Sequence, residues 1–99
     1  MTIRFFPPVN SQSGKLADAE VLFSGGPLDG LKLVGFAVWD RKGGGRNVTF
    51  PARSYSVSGE RRTFSLLRPI SEVHAQERLR DVILAAFKEY EQELAAVDQ

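Results

Sequence analysis

Cysteine is absent from this chain of 99 residues, which excludes disulfide bonds, a thiolate nucleophile and a thiolate metal site. There is one histidine, His74. It has neither a second histidine to share a metal ion nor an evident nucleophile to activate. We therefore interpret it as a surface residue at the start of a helix. Paired carboxylates suited to acid–base catalysis are not evident either. We expect no metal, no cofactor and no enzymatic activity.

Long apolar runs are also lacking. The first eight residues do not contain the apolar segment of a signal peptide, and no run approaches the roughly 20 residues that span a bilayer. The formal net charge of +1 and the hydrophobic content of 42% are those of an ordinary globular domain rather than a disordered tail or a polycation. We expect a single soluble domain over residues 1–99, located in the cytoplasm, with no membrane partner.

The most apolar stretch is Leu31–Trp39, nine residues with a single charge that lie between two glycine-containing turns. Its valines and Gly35 disfavour a helix. A strand that is apolar on both faces is usually covered on both faces, so the stretch predicts a central strand. Alternation divides its side chains into two faces, Leu33, Ala37 and Trp39 against Val34, Phe36 and Val38.

Glycine-containing segments at 24–30, 43–45 and 56–60 separate the further apolar stretches and predict an antiparallel β-meander. We expect its strands at Thr2–Phe6, Ala17–Phe23, Leu31–Trp39, Asn47–Arg53 and Arg61–Leu67. Pro51 should end or bulge the fourth strand. The side chains expected to face the core include Phe36, Val48, Phe50, Ala52 and Phe64. The glycines of 43–45 lead into a strand, so we interpret them as a hairpin turn and not as a phosphate-binding loop.

After Pro69 the apolar period changes to three and four residues, which predicts a helix from Glu72 or Ala75 to about Ala95, with Ser71 as its N-cap. The predicted fold is α+β: an antiparallel meander of four to five strands with one long C-terminal helix packed on the sheet. An edge strand and loop occupy 1–16, the sheet 17–69 and the helix 71–95. The second face of the sheet needs cover from the N-terminal segment or a second copy, and we expect a homodimer.

The charge is unevenly distributed along the chain. From Arg41 to Arg80 nine basic residues face three acidic ones, whereas the remainder to Gln99 has one lysine against five acidic residues. In a meander, Arg53, Arg61 and Arg62 share one end of the sheet, and Arg41, Lys42, Arg46 and Arg68 the opposite end. Arg78 and Arg80 lie in the early turns of the helix. Such a distribution fits phosphate binding, but it also fits a solvated surface.

Several short motifs together resemble the SpoVG family (stage V sporulation protein G), small bacterial regulators that bind nucleic acid. The motifs are Val48–Arg53, the turn Gly59–Arg62, Arg68–Ser71 opening a helix, and Ala85–Tyr90 near the end of that helix. Upstream, Ala17–Val21 and Leu31–Trp39 fall where the family has its preceding hairpin.

The resemblance implies an α+β fold, a homodimer, and transcription-regulatory binding of DNA and, in some members, RNA. It assigns nucleic-acid contacts to the positions of Arg53, Arg62 and Arg78, with Arg68 in the slot before the proline. From the residues and the resemblance together, the candidate phosphate contacts are Arg53, Arg61, Arg62, Arg68, Arg78 and Arg80. Tyr55, in a predicted loop, is the candidate for base stacking.

Two other functions fit the same sequence. One is a non-enzymatic protein-interaction or assembly module that uses the dimer surface or the acidic end of the helix. The other is an accessory domain that binds an anionic small ligand through the same arginines.

Overall fold

The computed structural model describes residues 1–8 and 14–97. The loop predicted before residue 16 lies mostly outside the described residues. The elements are β1 (Thr2–Phe6), β2 (Lys15–Leu22), a 3₁₀ turn (Gly26–Leu28), β3 (Lys32–Asp40), β4 (Arg46–Thr49), β5 (Ala52–Val57), β6 (Glu60–Ser65) and α1 (Ala75–Val97).

The strands form two antiparallel sheets. The first has four strands in the order β1-β2-β3-β4, so each strand pairs with its sequence neighbour, and within the described ranges β5 pairs only with β6. This confirms the predicted α+β class with antiparallel strands and one long C-terminal helix. The single strand predicted at Asn47–Arg53 is wrong, because the chain leaves the first sheet after Thr49 and starts the second at Ala52. Pro51 lies between them and cannot donate a ladder hydrogen bond.

A bulge in β3 changes which side chains share a face. Leu33 pairs with Val21 and Phe36 pairs with Ala19, so β3 has one residue more than β2 between these pairs. Gly35 accommodates the bulge with a φ of 107°, a conformation that glycine adopts without steric cost. The prediction that Leu33 shares a face with Ala37 and Trp39 is therefore wrong. Leu33 instead joins the core beside Phe36 and Val38.

The core lies between one face of the four-stranded sheet and α1. Its buried members are Ala17, Ala19, Val21, Phe36, Val38, Val48, Ile83 and Phe87. Phe5 extends the core along the edge strand, with its ring centroid 5.3 Å from that of Phe87 and 5.2 Å from that of Tyr90. The apolar side chains that recur every three or four residues along α1 thus cover one side of the sheet.

Polar contacts mark the opposite face of the sheet. Lys15 pairs with Asp18 at 2.7 Å, and the Trp39 Nε1–H donates to Thr49 Oγ1 at 2.8 Å. The N-terminal segment, one of the two candidates for covering this face, pairs at the sheet edge as β1. Val34, expected to be covered beside Phe36, is 51% exposed.

The helix begins later than its proposed cap predicts. Ser71 lies in an irregular connection, and α1 starts at Ala75, so Ser71 as the N-cap is wrong. His74 occupies the position before the helix, and its carbonyl accepts the backbone N–H of Arg78 at 3.1 Å. The His74 Nδ1 lies 3.0 Å from Glu77 Oε2, an acidic residue where the helix dipole favours one. Within the described residues, no helix combines the length and apolar character needed to cross a membrane.

Candidate nucleic-acid interface

The second sheet is a hairpin, residues 52–65, that we call the arm. Every arm residue except Ser65 is exposed, and the molecule measures 53 Å in its longest dimension against 24 Å in its shortest. Two corrections follow: Ala52 and Phe64, predicted to face the core, are exposed. Tyr55, predicted in a loop after the strand, lies within β5.

Strand register gives the arm two distinct faces. Ser58 and Gly59 form a two-residue turn with positive φ angles of 52° and 81°, which are typical of the tight turn that suits twisted hairpins. Because directly paired residues share a face, the register of β5 against β6 defines each side. The aromatic face carries Arg53, Tyr55, Val57, Glu60, Arg62 and Phe64. The polar face carries Ala52, Ser54, Ser56, Arg61, Thr63 and Ser65.

Two rings form the centre of the aromatic face. The centroids of Tyr55 and Phe64 are 5.7 Å apart with the ring planes at 66°. Tyr55 is 41% exposed and Phe64 is 38% exposed. Phe64 is the site residue that sequence reasoning misses, since its pattern assigns it to the core. The Ser58-Gly59 turn could reveal it, because a two-residue turn places Phe64 opposite Arg53, a residue expected to face outward.

The arm arginines are available for new contacts. Arg62 pairs with Glu60 at 3.3 Å, with both side chains more than half exposed; such pairs contribute roughly 0–1 kcal/mol and exchange readily. Among the described residues, no ion pair involves Arg53 or Arg61. Arg61 and Arg62, adjacent in sequence, lie on opposite faces of the arm, so a flat surface contacts only one of them.

The remaining candidate arginines lie near the base of the arm and the start of α1. Arg68 lines an apolar cavity of about 180 Å³ together with Phe50, Pro69 and residues of the first helical turns. The prediction that Arg68 shares an end of the sheet with Arg41, Lys42 and Arg46 is therefore wrong. Arg78 is exposed and pairs with Glu72 at 2.9 Å.

Arg80 differs from the other candidates. It is half-buried, with its guanidinium carbon 5.5 Å from the centroid of the Phe50 ring. Its Nε is buried and has no hydrogen-bond partner among the residues that the structure describes. Much of this side chain is therefore engaged in packing, and it presents less of its charge to a ligand than the arm arginines do.

At the far end of the sheet, Arg46 is held by acidic partners. It lies 3.0 Å from Glu91 and 3.2 Å from Asp40. The hydrogen bond to Glu91, followed by the negative charges of Glu91 and Asp40, raises the pKa of Arg46 further above its ordinary value. Glu91 lies about 24 Å along the helix from Ala75, at 1.5 Å per residue. This cation is thus paired and well separated from the helix start.

No three histidine, aspartate or glutamate side chains come together as a metal site in the described parts of the chain. Comparison of the chain with models of known protein families, with characterised proteins and with solved structures gives no match. The SpoVG resemblance and the homodimer therefore stay predictions. What the geometry defines is an α+β domain with a projecting, arginine-bearing arm.

Proposed function

We propose that this protein binds nucleic acid through the arm and the start of α1, as a small non-enzymatic regulatory protein of the SpoVG type. The observation that carries the proposal is the arm itself. It bears three arginines against one glutamate, and it is exposed along almost its whole length. Such a concentration of cations favours binding to a phosphate backbone, because each neutralised phosphate releases condensed counterions.

The dimensions of the arm support contact with several phosphates. A two-stranded β-ribbon fits the major groove of duplex DNA, about 12 Å wide, and can also lie along a single strand. Arg53 and Arg62 would serve one side of the ribbon and Arg61 the other. Arg68 and Arg78, beyond the base of the arm, would extend the track. In a homodimer, two such arms would double the number of phosphate contacts.

The experiment is a fluorescence anisotropy titration of labelled duplex DNA, single-stranded DNA and RNA over a salt series. Arg53→Gln and Arg62→Gln should each weaken binding and flatten the log–log salt slope by about 0.9 for duplex or about 0.7 for single strands. Arg61→Gln should do the same for a ligand that contacts both faces of the arm.

The matched control is Arg41→Gln, an arginine after β3 that is also exposed, which should leave the slope unchanged. Absence of binding to all three ligands at low salt would overturn the proposal. An Arg41→Gln effect equal to those of the arm variants would overturn the assignment of the site to the arm.

A second candidate function is a protein-interaction or assembly module, including self-association. It is favoured by exposed apolar side chains in the connection 66–74: Ile70 is 103% exposed, Val73 72% and Leu66 56%. Clusters of exposed apolar residues often mark interfaces. Sedimentation equilibrium tests it, since Ile70→Ser combined with Val73→Ser should shift a dimer to monomer. A wild-type monomer at high concentration would contradict self-association.

A further inference from the structure

We infer that the aromatic face of the arm is a stacking platform for unpaired bases, so that the preferred ligand is single-stranded nucleic acid. The inference rests on the proposed function and names its substrate class. It adds Phe64 to the site and assigns different roles to the two faces of the arm.

The two faces of the arm differ in composition, although both are exposed to solvent. The polar face is built from serine, threonine and alanine with one arginine, as expected for a hairpin surrounded by water. The aromatic face instead exposes Tyr55, Phe64 and Val57, the last at 46%. Aromatic rings on an exposed ribbon are the feature by which single-strand binders hold successive bases, since every base offers a π-face.

Cross-strand pairing places a cation beside each ring. Arg53 lies directly opposite Phe64, and Arg62 lies directly opposite Tyr55, where Cβ atoms of paired residues are roughly 4.5–5.5 Å apart. A base stacked on either ring therefore brings its backbone phosphate close to a guanidinium. The complementarity is twofold, of ring to base and of cation to phosphate, and it repeats across the two strands.

A duplex offers these rings no comparable contact. Its bases are stacked on one another, and a ring reaches a base face only if the step is unstacked or the base is flipped out, which costs free energy. A ribbon in a major groove reads base edges with hydrogen-bonding side chains, arginine and lysine most often and serine or threonine as well. Both faces of this arm carry arginine, but its strand hydroxyl side chains other than Tyr55, including Ser54, Ser56 and Thr63, belong to the polar face. The aromatic face thus favours the single strand.

The rings can be altered without dismantling the fold. Neither Tyr55 nor Phe64 belongs to the buried cluster or to the apolar side chains packed against it. Tyr55→Leu and Phe64→Leu keep an apolar side chain while removing the aromatic face. Tyr55→Phe keeps the ring and serves as the conservative control, and Val57→Ala removes apolar area from the same face without touching a ring.

The test measures anisotropy of oligo(dT), oligo(U) and a duplex of the same length for each variant, with far-UV circular dichroism to verify folding. Tyr55→Leu should weaken single-strand binding roughly five- to hundredfold and leave the salt slope unchanged, since no phosphate contact is lost. Phe64→Leu should act similarly. Tyr55→Phe and Val57→Ala should stay within about twofold, and duplex binding should change little in all four variants. DNA and RNA single strands should bind alike, because stacking and phosphate pairing do not read the sugar.

The possible results separate the inference from the function on which it rests. If the arginine substitutions flatten the salt slope while Tyr55→Leu and Phe64→Leu leave single-strand affinity unchanged, the stacking platform is refuted and nucleic-acid binding stands. Preferred duplex binding that is lost in Ser54→Ala or Thr63→Val also refutes it and assigns base reading to the polar face. If no nucleic acid binds at low salt, both fail.

Discussion

Replacement of Gly35 by alanine tests the bulge that directs β3 and the start of the second sheet. Gly35 has a φ of +107°, where an L-residue is strained by about 1–3 kcal/mol. An added Cβ would also lie 3.0 Å from Pro51 Cβ, which is shorter than the optimal carbon–carbon separation of about 3.5–4.0 Å. Pro51 is buried and its ring is rigid, so relief requires movement of the backbone.

The two costs can be separated with a matched glycine. Gly44 has a similar φ of +102°, but a Cβ added there would have no atom of the described residues within 4 Å, so Gly44→Ala carries the conformational strain alone. Overpacking typically adds about 1–3 kcal/mol. We therefore expect Gly35→Ala to lower the free energy of unfolding by about 2–6 kcal/mol and Gly44→Ala by about 1–3 kcal/mol. At about 4–8 °C per kcal/mol, the extra contact corresponds to a further drop in Tm of roughly 4–24 °C.

The assay is urea and thermal unfolding followed by far-UV circular dichroism on wild type and both variants. An unchanged m-value would indicate that the native and denatured states keep their compactness and that the midpoints can be compared directly. If Gly35→Ala proves no less stable than Gly44→Ala, the close approach of β3 to Pro51 does not constrain the fold, and the reasoning is refuted.

Three further predictions concern the core, the turn of the arm and the far end of the sheet. Ile83→Ala removes a fully buried side chain and should lower the free energy of unfolding by about 2–5 kcal/mol in urea titrations; a loss below about 1 kcal/mol would contradict its central position. Ser58→Asn supplies the residue that this two-residue turn prefers before Gly59. The substitution should stabilise the arm and slow its amide hydrogen exchange, whereas faster exchange would contradict the turn assignment. The pKa of Arg46 is raised in the folded state, first by the Glu91 hydrogen bond. The stabilisation that Arg46 gives to the folded state is therefore complete at a pH below its ordinary pKa, and it is lost only as the pH rises through the still higher pKa of the folded state. The Tm difference between wild type and Arg46→Gln should accordingly be constant from about pH 6 to 9, and a difference that disappears within this range would contradict the pairing.

Much of the fold follows from local patterns in the sequence. Glycine-rich reversals, the β-rich stretches between them and the change to a helical period after Pro69 suffice for antiparallel strands and a C-terminal helix. These patterns extend over a few residues, and the elements that they predict form hydrogen bonds within themselves or with their neighbours in the chain. For this reason the predicted bounds of the edge strand Thr2–Phe6 coincide with the observed ones.

The division into two sheets could not be predicted in the same way. The alternation of Val48, Phe50 and Ala52 continues across Pro51 and predicts one strand with three inward side chains, although Pro51 itself predicts an end or a bulge there. In the fold, Val48 is buried, Phe50 packs beside the core and Ala52 is exposed. The alternation no longer predicts burial after Pro51, because the chain leaves the first sheet there. The partner surface that would bury Ala52 is absent from the described residues, and only the tertiary arrangement shows this.

The candidate site illustrates the same limit. Composition is sufficient to single out the arginines and Tyr55, but side-chain direction depends on register, and register is set by the turn. Strand alternation places Arg61 and Arg62 on opposite faces, the two-residue turn sets Phe64 opposite Arg53, and the separation of the arm from the four-stranded sheet leaves both faces exposed. Arg80 resembles the other arginines in sequence, yet its contact with Phe50 arises from the way the helix crosses the sheet.

The base of the arm connects the two parts of the proposed site. The backbone N–H of Leu66 donates to the Pro51 carbonyl at 2.9 Å, which closes the hairpin. The Leu67 carbonyl then accepts both Ser65 Oγ–H at 2.9 Å and Gln76 Nε2–H at 2.7 Å. Gln76 belongs to the first turn of α1, so this one carbonyl couples the end of β6 to the start of the helix. A two-stranded ribbon by itself is marginally stable in water, and these bonds limit the directions in which it can project. A nucleic acid that contacts the arm and the helix start would therefore meet two partly preorganised surfaces, and less of its binding free energy would be spent on ordering the protein.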